Sequence, residues 1–357
     1  MNYTIEKHSG ESAYLQLYKQ LREDIVAGVL PTGTKLPSKR LLAGELGLSV
    51  ITVEHALALL VDEGYAEARP RSGYYAAFGD SVGSAPRRAA LADMSAATAA
   101  PEDFPFSTWA RTMRGVLTDY DRRILVKAPN CGCLELRQAI ADYLGRSRGI
   151  TVSPEQIVIG SGAEYLYGLV VQLLGRERGF ALEDPSYEKI RRVYEANGAR
   201  CELLWLGEDG ILSRELQGCA AGALHVTPFH SYPSGVTATA AKRHEYAAWA
   251  EERGSVIVED DYDSEFASVT KQIDTIYSLA PERVIYLNTF SKILAPAMRT
   301  GFMVLPEGLL AEYRRRLDFY SCTVPVFDQY VLAEFIRQGH MERYINRRRR
   351  KLRLQGK

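Results

Sequence analysis

Long apolar runs are missing from this 357-residue chain. No stretch approaches the ~20 apolar residues that a membrane helix requires, which excludes a membrane-spanning helix. The first residues, MNYTIEKHSGESAY, lack the apolar core of a secretory leader. Cysteine is scarce: five residues, an odd number, at Cys131, Cys133, Cys201, Cys219 and Cys322. Cys131 and Cys133 form C-G-C rather than the C-x-x-C of a metal or redox site, so reduced thiols in a cytoplasmic protein are expected, with no metal. Net charge is also absent, with 44 Lys+Arg against 44 Asp+Glu. At 25% charged and 46% hydrophobic residues the chain is neither disordered nor fibrous, and its length suits two or three domains.

The balance of charge is uneven. Residues 343–357 hold eight basic groups and no acid, so the first 342 residues are acidic by eight charges. Composition also divides the chain. Residues 12–78 show dense helical periodicity followed by a short hairpin. Residues 79–103 are rich in Ala, Ser, Gly and Pro and read as a linker. From 104 to 357, short β-branched runs alternate with amphipathic helices, the pattern of an α/β domain with a mostly parallel sheet. Strands are expected at 157–159, 180–183, 201–206, 223–227, 255–259, 284–288 and 302–305. Helices are expected at 163–174, 187–197, 240–252, 307–318 and 326–337.

In the N-terminal part, Leu15, Leu17, Leu21, Ile25 and Val29 make an apolar stripe on a first helix. Ser38 is an N-cap for a second helix through Leu46, and Gly47 makes the turn. Ser49 caps a third helix that Gly64 stops. The run Arg69-Pro70-Arg71-Ser72-Gly73 then forms a basic turn between two strand-like segments, a wing. Such a third helix enters a DNA major groove while helix N-termini and the wing tip hold phosphates. A plain three-helix packing unit has the same spacing. Residues 1–78 hold eight basic and nine acidic groups, so any DNA footprint is local. The candidate contacts are Lys35, Ser38, Lys39, Arg40, Ser49, Thr52, Arg69, Arg71, Ser72 and Gly73.

The L-P-S-x-R, L-A-x-x-L-G and E-G-Y segments of this stretch resemble the winged-helix domain of the GntR family of bacterial transcription regulators. That resemblance implies a double-stranded DNA operator as partner. The chain departs from it at Val50, where the family usually has Arg after the capping Ser.

In the α/β part, Thr289-Phe290-Ser291-Lys292 is followed by Arg299 and Gly301. A Lys after a strand, with hydroxyls before it and an Arg nearby, suits a phosphate-bearing aldehyde: the amine forms a Schiff base, and the hydroxyls and guanidinium hold the phosphate. Three further segments agree. The strand 255–259 runs into Asp260, Asp261 and Tyr262. Ser161-Gly162-Ala163 joins a strand to a helix N-terminus, an anion seat. Asp184-Pro185-Ser186-Tyr187 puts an aromatic ring at a strand end. Order and spacing resemble the fold-type I pyridoxal-phosphate enzymes, the aspartate aminotransferase superfamily. The resemblance implies pyridoxal 5'-phosphate as cofactor, with Lys292 as its Schiff-base lysine, Asp260 on the pyridinium nitrogen, Tyr262 on the phenolic oxygen and Tyr187 stacked on the ring. It implies that Ser161, Gly162, Ala163, Thr289, Ser291 and Arg299 surround the phosphate, and that Tyr232 stands in the loop beside the cofactor where aminotransferases often have Asn.

A GntR-type winged helix, an Ala-rich linker and an aminotransferase-like domain with T-P-x-H-x-Y-P-S-G and E-D-D-Y-D-S-E-F together resemble the MocR-type regulators. The layout implies a cytoplasmic, dimeric transcription regulator switched by a small amine or amino acid, or by pyridoxal phosphate itself. The competing expectation is an aminotransferase with an accessory N-terminal module. The chain departs from the pattern in two places. The small C-terminal domain, with its substrate-carboxylate Arg, is expected to be missing, leaving Lys189 or Arg191 as partial substitutes. Lys127 replaces the Tyr of the family's Tyr-Gly-x-Pro-x-Gly segment. The basic residues 343–357 are then expected on a helix leading toward that domain rather than on a DNA-binding arm.

Overall fold

The computed structural model describes residues 3–6, 11–69, 72–77, 103–262, 264–267 and 274–354. The expected linker, 79–103, lies almost wholly outside them, as does Arg71. The chain divides into two compact units, one built on the N-terminal helices and hairpin and one on a large sheet. No helix among the described residues is long and apolar enough to cross a membrane.

The N-terminal unit contains α1 (Ala13–Val26), α2 (Lys39–Leu46), α3 (Val50–Asp62) and the antiparallel pair β1 (Ala66–Arg69) and β2 (Gly73–Ala76). The caps form as the sequence predicts. Ser38 Oγ accepts from the Leu41 amide at 3.2 Å, and Ser49 Oγ from the Thr52 amide at 3.0 Å. Gly47 ends α2 in the left-handed region at φ 64°, where a side chain is disfavoured. Leu17, Tyr18, Leu21, Val53, Leu57, Leu60 and Tyr65 form the core. Val29 departs from expectation. Helix α1 stops at Val26, the stripe ends with it, and Val29 is 61% exposed.

The second unit is a seven-stranded sheet in the order β3-β9-β8-β7-β6-β4-β5. The strands are β3 (Ile157–Gly160), β4 (Phe180–Asp184), β5 (Cys201–Trp205), β6 (Ala223–Val226), β7 (Val256–Asp260), β8 (Val284–Thr289) and β9 (Gly301–Val304). Five of them, β5, β4, β6, β7 and β8, pair in parallel; β9 runs antiparallel to β8 and β3. All seven predicted strands are present. Their continuous apolar runs follow from burial on both faces in all but the edge strand β5, where Leu203 and Trp205 are exposed. Side chains alternate between faces, so Ile157, Ile159, Ile257, Val284 and Tyr286 enter one core, while Val158, Val256, Val258, Ile285 and Leu287 enter the other.

Two long helices precede the sheet in a stretch for which no elements were expected: α4 (Phe106–Tyr120) and α5 (Leu134–Arg148). Helix α5 is hard to read because it buries Arg137 and Arg148 beside its apolar residues. Helices α6 (Ala163–Leu174) and α7 (Glu188–Ala196) follow β3 and β4. The basic tail forms a helix, His340–Leu354, that buries Met341, Tyr344 and Ile345. Its cations are used within the same unit: Arg349 Nε donates to the Glu265 carbonyl at 2.6 Å, and Arg348 lies 4.5 Å from the Phe266 ring centre.

Candidate functional site

Three consecutive carboxylates at the end of β7 have different fates, decided by the two-residue alternation of a strand. Glu259 faces one core and accepts the amides of Ile276 and Tyr277 at 3.0 and 2.7 Å, capping a short helix. Asp261 faces the same side, where Arg148 Nη2 pairs with it at 2.9 Å and Tyr286 donates to it. Asp260, between them, turns to the opposite face and lines a cavity of about 280 Å³.

Behind the cavity, Asp260 accepts a hydrogen bond from Tyr167 of α6. His225 of β6 stands on the same carboxylate, its Nε2 3.7 Å from Asp260 Oδ2. The Tyr194 hydroxyl meets the other ring nitrogen of His225 at 2.7 Å. With Tyr194 as donor, Nδ1 of His225 is the acceptor. Burial pushes the hydroxyls of Tyr167 and Tyr194 far above the usual phenol range, so both stay protonated donors.

The lining joins most of the predicted residues. Ala163, Tyr187, Tyr232, Asp260, Tyr262, Thr289, Ser291 and Arg299 all face the cavity. Tyr187 and Tyr232 meet edge to face, with ring centres 6.0 Å apart. Thr289 ends β8, and the short helix Phe290–Ile293 begins there. Phe290 anchors that helix in the core, fixing Ser291 and Lys292. Lys292 is 8% exposed, and its Nζ lies 4.8 Å from the centre of the Tyr262 ring. Ser161 and Gly162 stand at the N-terminus of α6 and reach the cavity through Arg299. Arg299 Nη2 donates to the Ser161 carbonyl at 3.5 Å, and a Cβ added to Gly162 would meet that nitrogen at 3.0 Å.

Several lining residues were not foreseen. Glu164 is the chief of these: its carboxylate pairs with Arg299 at 2.7 Å and Lys189 at 3.5 Å. Tyr167, which lines the cavity, and His225, which stands behind it, have as their signal only contact with Asp260, which sequence spacing does not display. Glu183 was missed for the same reason; on β4 it accepts a hydrogen bond from Ser231 in the loop bearing Tyr232. Lys189 lines the cavity, whereas Arg191 points to Glu195 at 2.7 Å on the surface of α7.

The N-terminal unit presents a separate candidate surface. Lys39 pairs with Glu54 at 2.6 Å, tying α2 to α3, while Arg40 is exposed. Ser49 and Thr52 hydroxyls meet at 2.8 Å at the start of α3. Val50 and Ile51, 39% and 66% exposed, make that end of α3 apolar. In the hairpin, the Arg69 guanidinium covers Tyr75 at 4.3 Å, Lys35 approaches the same ring at 6.0 Å, and Ser72 Oγ meets the Tyr75 hydroxyl at 2.7 Å. Gly73 carries the turn at φ 115°.

Comparison with known proteins agrees with both halves. The family of bacterial regulatory proteins, gntR family, matches residues 13–75, and aminotransferase class I and II matches residues 119–355. The HTH-type transcriptional regulator YdeL of Bacillus subtilis is 35% identical over 351 residues, covering 94% of this chain and 76% of that protein. The HTH-type pyridoxine biosynthesis transcriptional regulator PdxR of Corynebacterium glutamicum is 29% identical, covering 97% of this chain and 78% of its own. Among solved structures, the α-aminoadipate aminotransferase LysN of Thermus thermophilus, complexed with N-(5'-phosphopyridoxyl)-L-leucine, is 28% identical with a TM-score of 0.62. That match covers 71% of this chain and 66% of LysN, so the chain spans just under two thirds of the aminotransferase's length. The chain belongs to the family of HTH-type transcriptional regulators, with MocR and PdxR among its members, that join a GntR DNA-binding segment to an aminotransferase class I and II domain.

Proposed function

We propose that this transcription regulator binds pyridoxal 5'-phosphate at Lys292 and double-stranded operator DNA through residues 12–78, with 79–103 as linker and 104–357 as the cofactor-binding domain. The observation that carries this reading is the convergence of Asp260, Tyr187, Tyr262, Thr289, Ser291 and Arg299 on one cavity beside the buried Lys292. The residues fit the cofactor on three counts. Ser291 Oγ is buried with no hydrogen-bond partner, as expected of a donor awaiting an oxygen. Gly162 leaves open the space against Arg299 that a Cβ would fill. The buried carboxylate of Asp260, at the end of β7, lines the same cavity as the Tyr187 ring.

When bound, pyridoxal phosphate supplies an electron sink and a reversible covalent link to amines. The chain's own groups have separate tasks. Asp260, backed by Tyr167 and His225, holds a proton at the ring nitrogen. Tyr262 faces the Lys292 amine and orients it. Tyr187 covers the ring face and excludes water. Thr289, Ser291, Arg299 and the α6 amides anchor the phosphate. A small amine or amino acid competing with Lys292, or the cofactor itself, is the proposed effector, and a cytoplasmic homodimer is the proposed assembly.

The test is selection of genomic DNA fragments by the full chain, with and without pyridoxal phosphate and a panel of amines. We expect enrichment of a few sites, with occupancy altered by the cofactor or by one amine. No enrichment above a variant with Ser38, Lys39 and Arg40 replaced by Ala, together with rapid amino-group transfer from common amino donors, would overturn the regulator reading.

A further inference from the structure

The seat for the cofactor's phosphate already contains an anion of the chain itself. Glu164 lies in the first turn of α6, two residues after Gly162, the N-cap residue, which brings no side-chain capping bond. Its carboxylate collects cations that a phosphate at this helix N-terminus would use: Arg299 Nη2 at 2.7 Å and Lys189 Nζ at 3.5 Å. Partial burial works against the charge, yet the Arg299 and amide hydrogen bonds and the charges of Arg299 and Lys189 hold the carboxyl below its ordinary value. Glu164, Lys189 and Arg299 all line the same cavity.

Charge decides what this arrangement does. Arg299 and Lys189 together bring two positive charges, and Glu164 cancels one of them. A phosphomonoester near neutral pH carries about two negative charges. With Glu164 in place, a bound phosphate would meet a half-neutralised seat and a carboxylate at close range. The Glu164 side chain is 33% exposed, so it can swing into water at small cost.

We propose that Glu164 is an internal competitor for the phosphate seat, which makes cofactor loading graded and reversible, so that the free concentration of pyridoxal phosphate is itself a signal this site reads. This rests on the pyridoxal-phosphate reading above and adds a regulatory device to it.

The experiment titrates the full chain and its Glu164→Gln variant with three probes: pyridoxal phosphate, pyridoxal without phosphate, and inorganic phosphate. Gln keeps the size and an acceptor oxygen but removes the charge. Pyridoxal phosphate should bind Glu164→Gln about tenfold more tightly than the original chain, and inorganic phosphate should bind more tightly too, because a charge-assisted contact no longer has to be displaced. Pyridoxal should bind both proteins alike, since it never reaches Arg299. Unchanged or weaker pyridoxal phosphate binding in the variant overturns the proposal, as does an equal gain for pyridoxal. Glu164→Ala serves as a second variant and should show the same order of affinities. If borohydride traps nothing on Lys292 in either protein, the cofactor reading fails; the inorganic phosphate arm still decides whether Glu164 guards an anion seat.

Discussion

His225 Nε2 lies 3.7 Å from Asp260 Oδ2, with both side chains almost fully buried and the opposite edge of the imidazole held by Tyr194. The relay from Tyr194 through His225 to Asp260 spans α7, β6 and β7 and backs the carboxylate that Tyr167 hydrogen-bonds. Replacing His225 with Phe removes that support and leaves the Tyr194 hydroxyl buried without its partner. Such an orphaned group costs about 1–3 kcal/mol. Urea denaturation should show a loss of that size for His225→Phe. The double variant with Tyr194→Phe should recover most of it, because both polar groups then leave together. Additive losses in the double variant would show that the two side chains are not partners.

Arg69 gives the wing an exposed cation. It stacks on Tyr75 and touches Glu67 at 3.2 Å, a contact too exposed to hold it against a phosphate. Arg69→Ala should weaken DNA binding to similar extents for different sequences, and should lower the slope of log affinity against log salt by about one. Fluorescence anisotropy across a salt series measures both. A loss confined to one sequence would make Arg69 a base-reading residue.

Glu183 is a fully buried carboxylic acid whose pKa is pushed up to about 8, chiefly by burial, against the opposing hydrogen bonds from Ser231 and the Thr227 backbone. Unfolded, it titrates near 4.5. The folded chain therefore binds the proton more tightly, and the stabilisation is complete below the unfolded value and lost as pH rises through the folded one. Across that window stability should fall by up to about 1.4 kcal/mol per pH unit from this group alone. Glu183→Gln should remove that component of the slope and be the more stable protein at alkaline pH. Parallel pH profiles for the two proteins would contradict the assignment.

Much of the fold was legible because six of the seven sheet strands are buried on both faces, which writes each as a short apolar run between turn residues. All seven expected runs became strands. The caps at Ser38 and Ser49 were equally local and equally legible. Helices α4 and α5 were not, because α5 carries Arg137 and Arg148 inward and its apolar face is interrupted. The cavity residues brought by motif, from Tyr187 to Arg299, were predicted, and the structure gathers them. Tyr167, His225, Glu183 and Glu164 escaped because their signal is a contact made through space. Glu164 in particular looks from the sequence like any acidic residue in a helical first turn.

Lys292 is proposed as the cofactor-binding amine of this regulator. The most direct measurement is reduction of the chain with borohydride in the presence of pyridoxal phosphate, followed by mass mapping of the modified lysine. One phosphopyridoxyl group is expected, on Lys292, and none on Lys292→Ala. Equal labelling of Lys292→Ala, or a label on Lys189 in place of Lys292, would contradict it.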